Sequence, residues 1–138
     1  MTAPIAGNRA VENAAVAWVM ELERGAGREP IDKRGVAAFS ADLESAPRII
    51  EVKAFGTSNR GFDLWLEVKQ VEEARRNPNF WLYAVENVKQ GDPLRFTLKV
   101  FGGDKLARIL ARAREKRYFE VPLGVREYDS APGIEGLR

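Results

Sequence analysis

Arg48-Ile49-Ile50-Glu51-Val52-Lys53-Ala54-Phe55 is the stretch on which the reading of this chain turns. Apolar Ile50 and Val52 alternate with charged Glu51 and Lys53, and a two-residue period places both charges on one face of a β-strand. A carboxylate and an ammonium side by side on a central strand suit metal-assisted attack on a phosphodiester. The carboxylate offers oxygen ligands to Mg²⁺ or Mn²⁺, and the lysine stabilises phosphate charge or the attacking water. By itself, a Glu-x-Lys triplet is more often an ion pair on a solvated strand.

Outward from that strand, the chain alternates strands and helices. Upstream, Val11, Ala15, Trp18, Val19 and Leu22 recur at three- and four-residue spacing and predict a helix over 9–24. Asn8 is placed to cap it, and Gly25 and Gly27 to end it. The apolar run at 35–40 reads as a short strand and 41–47 as a turn. Downstream, the Gly-, Ser- and Asn-containing segment 56–61 reads as a hairpin connection, so 62–66 is expected to pair antiparallel with 48–55. Residues 67–76 read as a helix stopped at Asn77-Pro78. Strands are expected at 80–88 and 95–101, and a last helix from Asp104 to about Lys116. The order is α-β-β-β-α-β-β-α, an α/β (α+β) fold with a mixed sheet flanked by helices. Residues 1–128 read as one domain and 129–138 as a flexible tail.

Composition narrows the chemistry. The 138 residues contain no cysteine and no histidine, which removes thiolate and imidazole catalysis and their metal sites. An enzyme built from this chain must use carboxylates, lysine, arginine, hydroxyls and a hard cation. No apolar run approaches the roughly 20 residues that span a bilayer, and residues 1–7 lack the pattern of a signal peptide, so a cytoplasmic setting is expected. The net charge of +2 is small, but Lys105, Arg108, Arg112, Arg114, Lys116 and Arg117 face only Glu115. That basic run could track nucleic-acid phosphates, or it could be an ordinary solvated helix face. Trp18, Trp65 and Trp81 fall within periodic patterns and read as core.

Four further segments change the weight of the Glu-x-Lys triplet. They are Glu12-Asn13-Ala14-Ala15-Val16-Ala17-Trp18-Val19, Glu23-Arg24, Gly27-Arg28-Glu29-Pro30 and Phe80-Trp81-Leu82-Tyr83-Ala84-Val85-Glu86-Asn87-Val88. Together with 48–53 they resemble the NO VEIN C-terminal domain family over about residues 9–110. The resemblance implies a restriction-endonuclease-like, PD-(D/E)XK fold and a setting in DNA restriction, phage defence or fusion to a helicase. It also implies roles for Glu12, Glu51 and Lys53, with Gln70 where the family usually has glutamate. DNA is then the expected partner, with Mg²⁺ or Mn²⁺ as cofactor and a homodimer or larger assembly as the quaternary setting.

The family usually reads Gly-Tyr-Asp on the strand before Glu-x-Lys, whereas this chain reads Gly35-Val36-Ala37. With alanine at that place, one of two metal-binding carboxylates is lost and weak or absent catalysis is expected. Asp42 or Asp63 could stand in for it. The competing expectation is an inactive scaffold that joins a larger assembly through a sheet edge or the basic helix.

Overall fold

The structure, a computed structural model, describes residues 7–137. Residues 1–6 and 138, which the domain, leader and tail readings included, lie outside the described residues. The fold follows the expected order. Helix α1 (Asn8–Gly25) is followed by β1 (Ile31–Asp32), β2 (Leu43–Ser45) and β3 (Arg48–Ala54), and then by α2 (Val68–Arg76). Strands β4 (Phe80–Glu86) and β5 (Thr97–Phe101) and helix α3 (Gly103–Leu110) complete the body, and a short α4 (Val125–Ser130) lies in the tail.

The five strands lie in the order β1-β2-β3-β4-β5. Neighbours are antiparallel except β3 and β4, which run parallel with Glu51 opposite Leu82 and Lys53 opposite Ala84. A parallel pair needs a long crossover, and residues 55–79, including α2, supply it.

Strand alternation divides the core in two. Ile50, Val52, Tyr83 and Val85 face α1 and pack with Ala15, Val16 and Val19. Ile49, Phe80 and Leu82 face the other way, against Leu106 and Leu110 of α3 and Val71 and Ala74 of α2. Of the predicted stripe on helix α1, Ala15 and Val19 are buried and Val11 and Trp18 pack partly against the core, whereas Leu22 is exposed and Val16 is buried in addition. The helix entry differs from expectation: Asn8 is the first helical residue and Gly7 precedes it without a side-chain cap. At the other end Gly27 takes φ 86, the left-handed conformation open to glycine.

Two expected strands are absent. Residues 35–40 form successive turns, with Val36 N–H donating to Lys33 O and Phe39 N–H to Val36 O. Gly35 sits at φ 84, and Phe39 and Ala41 fold inward onto the α2/α3 core. The strand in this region is β2, inside the stretch read as a turn. Residues 62–66 are irregular; β4 takes one edge of β3 along its length, and β2 takes the other beside Arg48–Ile50, with the Asp42 carboxylate occupying Val52 N–H beyond it. Leu64 and Leu66 anchor this segment on the α2/α3 core, while Phe62 and Trp65 stay exposed. Trp65 is therefore not core, whereas Trp18 packs edge-on against Phe96 at 5.5 Å and Trp81 lies under Arg48 at 3.8 Å.

Helix α3 is shorter than its sequence suggests. Its buried stripe ends at Leu110, and the chain leaves through turns at Ala111 and Arg112. No described helix is long and apolar enough to cross a membrane.

Candidate active site

Glu51 and Lys53 stand on the face of β3 turned away from α1. Glu51 is 3% exposed, and its Oε2 lies 3.2 Å from Lys53 Nζ. Its other oxygen, Oε1, is buried and has no hydrogen-bond partner. An unsatisfied buried carboxylate oxygen costs free energy that packing alone does not return. Lys53 keeps about a quarter of its side chain, 27%, open to solvent, so the pair opens outward through the lysine.

Asp42 completes the niche. It immediately precedes β2, and its backbone extends the β2–β3 ladder by donating N–H to Ile50 O at 3.0 Å. One step further along, where β2 offers no backbone partner, the carboxylate takes over: Asp42 Oδ2 accepts from Val52 N–H at 2.9 Å. That bond holds a second carboxylate near enough to Glu51 for the two charges to influence one another. Burial raises the Glu51 carboxyl to about 7, helped by the charge of Asp42 and opposed by Lys53. Burial also raises Asp42, against the Val52 N–H and Lys53, while the charge of Glu12 adds to the upward shift. Two like charges in a confined space resist joint ionisation, and a cation between them removes that resistance.

This geometry corrects the reading of Ala37. Ala37 is exposed within the turns of 35–40, and the strand that precedes Glu51-Val52-Lys53 is β2, with Asp42 at its head. A carboxylate, Asp42, does lie beside Glu51, five residues after Ala37. The signal was Asp42-Leu43-Glu44-Ser45, in which Leu43 and Ser45 are fully buried and the acids alternate with them. Pro47, in the Ala46-Pro47 turn after β2, made this period-two stretch look like loop.

The other expected site residues are spread more widely. Glu12 lies on α1 with 47% of its side chain exposed, 3.6 Å from Arg34, and reaches the niche through its charge on Asp42. Gln70 is the third residue of α2, where its Oε1 accepts from Glu67 N–H at 3.0 Å in a capping box. Asp63 is exposed on the irregular 62–66 segment rather than on a strand beside β3. Lys105 and Arg108 lie on α3, while Arg112, Arg114, Lys116 and Arg117 lie beyond its end. The basic residues therefore do not form one helical face; all six are exposed, and Arg117 lies 3.7 Å from Glu115.

A second buried glutamate sits on the opposite face. Glu23 of α1 is also 3% exposed. It accepts from Arg28 through both oxygens, from Ser45 Oγ at 2.9 Å and from the Tyr83 hydroxyl at 3.0 Å. Arg48 in turn donates to that hydroxyl at 2.7 Å. Burial pushes Glu23 up, but the bonds from Arg28, Ser45 and Tyr83 outweigh it and hold the carboxyl below its ordinary range. Every oxygen of this network is engaged, so it ties α1 to β2 and β4 and leaves nothing over for a ligand.

Among the described residues, no group of three acidic side chains is arranged to hold a metal ion. The niche offers two carboxylates. That donor set fits Mg²⁺, which keeps several waters and commonly binds through one or two carboxylates. The unpartnered Glu51 oxygen is the observation that makes the fit specific.

The family model described as Protein NO VEIN, C-terminal matches residues 11–98, well over half of the chain. The matched span contains Glu12, Asp42, Glu51, Lys53, Asp63 and Gln70, and ends before α3. No curated protein and no solved structure gives a significant match.

Proposed function

The chain belongs to the NO VEIN C-terminal domain family, and from that membership and the niche on β3 we propose a nucleic-acid-directed phosphodiesterase of PD-(D/E)XK descent. The observation that carries this reading is the orphaned Glu51 Oε1, buried beside Asp42 with Lys53 at the niche's open side. Asp42 and Glu51 would hold Mg²⁺ or Mn²⁺. Bound there, the cation would supply positive charge against the phosphate oxygens and lower the pKa of water.

The protein's own groups divide the remaining work. Val52 N–H holds Asp42 in place, so the carboxylate needs little reorganisation. Lys53, partly open to solvent, can point an N–H at a phosphate oxygen or at the incoming water while staying paired to Glu51. Glu12 adds negative charge at the rim. Lys105, Arg108, Arg112, Arg114, Lys116 and Arg117 supply exposed charge for the nucleic-acid backbone. DNA is the substrate class we favour, in a restriction or phage-defence setting or beside a helicase. Ala37 was the main support of the scaffold alternative, and the carboxylate of Asp42 beside Glu51 weighs toward the phosphodiesterase reading.

The test is incubation of supercoiled plasmid, linear DNA and single-stranded RNA with the domain in Mg²⁺ and in Mn²⁺, alongside Lys53→Ala and Asp42→Asn. Metal-dependent cutting by the parent and not by the variants supports the reading. Absence of cutting on every substrate, or cutting that both variants retain, rejects it.

A further inference from the structure

Beyond the proposed site, the last part of the chain has a surface with no use inside the molecule. Every residue from 111 to 137 is exposed. Within it, Phe119, Val121 and Leu123 alternate with Glu120 and Pro122, the period of an extended segment with one apolar side, and Val125 follows at the start of α4. Tyr118, Phe119 and Tyr128 are among its uncovered side chains, with Phe119 at 95%. Single exposed apolar residues are ordinary, whereas a contiguous series marks a contact surface.

The body carries a matching absence. Between α2 and α3 lies a groove of about 300 Å³ whose walls include Ala74, Pro78, Phe80, Leu106, Ala107 and Leu110. The described part of the same chain leaves it unfilled, although α3 ends at its wall. Arg75, bonded to Leu110 O, lines it, and Arg108 stands beside it on α3 with Asp104, a rim of net positive charge, whereas residues 118–137 hold Glu120, Glu127, Asp129 and Glu135 against Arg126 alone. An acidic apolar arm and a basic-rimmed apolar groove are complementary in both shape class and charge.

We propose that residues 118–137 are an exchange arm that seats in the α2/α3 groove of a second copy of this chain, each copy giving and receiving one arm. Reciprocity follows from two-fold symmetry, in which the same two surfaces meet twice. The area is sufficient. A stable dimer buries roughly 1,200–2,000 Å² in total, and aromatic side chains of about 150–250 Å² each, three per arm, go far toward it before the aliphatic residues are counted. The arm and α3 lie outside the matched span 11–98, whereas the α2 wall of the groove lies within it.

Sedimentation equilibrium of the intact chain over a wide range of concentration is the first measurement, with Phe119→Ser/Leu123→Ser in the arm and Ala107→Glu in the groove. All three positions are exposed, so neither variant should shift the thermal midpoint of the monomer. A dimer is expected for the parent, weakened at least about tenfold in each variant, which corresponds to about 1.4 kcal/mol. An equal mixture of the two variants should regain association, because one intact arm still meets one intact groove. A parent that is monomeric at every concentration, an arm seated in its own groove, or a dimer that survives either variant overturns the proposal.

Discussion

Glu23 and Glu51 are the same residue type, equally buried, on opposite faces of one sheet, and their chemistry diverges. Glu23 meets an arginine and two hydroxyls and is held ionised. Glu51 meets one lysine and a second carboxylate, keeps one oxygen unpartnered and is pushed up to about 7. Burial therefore does not decide what a buried acid is for. The decisive quantity is whether its acceptor capacity is filled: a filled glutamate is architecture, and an unfilled one beside another acid has acceptor capacity left over, which the proposed function assigns to a cation.

The largest expected consequence is on cleavage. Removing the Lys53 ammonium takes away a charge that acts on the transition state, and Lys53→Ala should lower single-turnover cleavage by about a hundredfold or more. Asp42→Asn and Glu51→Gln should do the same, with metal affinity lost as well. Glu23→Gln, scored on the fraction of protein that remains folded, should cut at the parental rate. A cleavage defect in Glu23→Gln as deep as that in Glu51→Gln would erase the distinction between the two faces.

Stability should respond in the opposite order. Glu23→Ala strands the Arg28 guanidinium and the Ser45 and Tyr83 hydroxyls, and breaking such a buried pair costs roughly 3–5 kcal/mol. Urea unfolding of the metal-free protein measures it, and a loss under about 1 kcal/mol would place the network among surface pairs of little weight. Glu51→Gln should instead stabilise the metal-free domain at pH 8 by about 1–2 kcal/mol, since it removes a buried charge with too few partners. Destabilisation there would mean that Lys53 satisfies Glu51 fully.

The same contrast sets opposite pH dependences. The folded Glu51 carboxyl lies above its ordinary 4.5, so its contribution is fully present below that value and is lost as pH rises through about 7. Glu23 lies below 4.5, so its contribution is present above 4.5 and is lost as pH falls through its folded value. Glu51→Gln should thus flatten the stability profile between about pH 5 and 8, and Glu23→Gln should flatten its acid limb. Mg²⁺ should raise the parent's thermal midpoint more at pH 8 than at pH 6, because its ligands must be ionised, and should leave Glu51→Gln almost unmoved.

How much of this was legible beforehand depends on length and on competition. Helix α1 and strands β3 and β4 carry long unambiguous periods, Val11 to Leu22, Ile49 to Lys53 and Phe80 to Val85, and local pattern suffices for them. Strand β2 has three residues followed by the Ala46-Pro47 turn, too few for periodicity to outweigh a turn signal, and its misreading put the strand before Glu51 at 35–40, around Ala37. The 62–66 segment alternates correctly, but β4 takes one edge of β3, and β2 with the Asp42 carboxylate takes the other as far as Val52. That is a fact of topology which no local pattern contains. Helix α3 continues in sequence through Ala113, yet beyond Leu110 the chain finds nothing to bury against, and the helix stops.

Gln70 gives the smallest effect and the sharpest check on how far the site extends. The family resemblance puts it in the catalytic set, whereas its Oε1 is engaged with Glu67 N–H at the start of α2. The Glu67 side chain returns the bond to the backbone N–H of Gln70. A residue that acts only through this reciprocal cap should cost about 0.5–1 kcal/mol on Gln70→Ala, with cleavage per folded molecule unchanged. Gln70→Glu keeps an acceptor at the third helical position, next to the positive end of the helix, and should restore that stability. A large loss of cleavage in Gln70→Ala that Gln70→Glu rescues, with stability flat across the series, would instead bring α2 into the niche of Asp42 and Glu51. The filled and unfilled acids would then be joined by a third group whose acceptor serves the substrate rather than the fold.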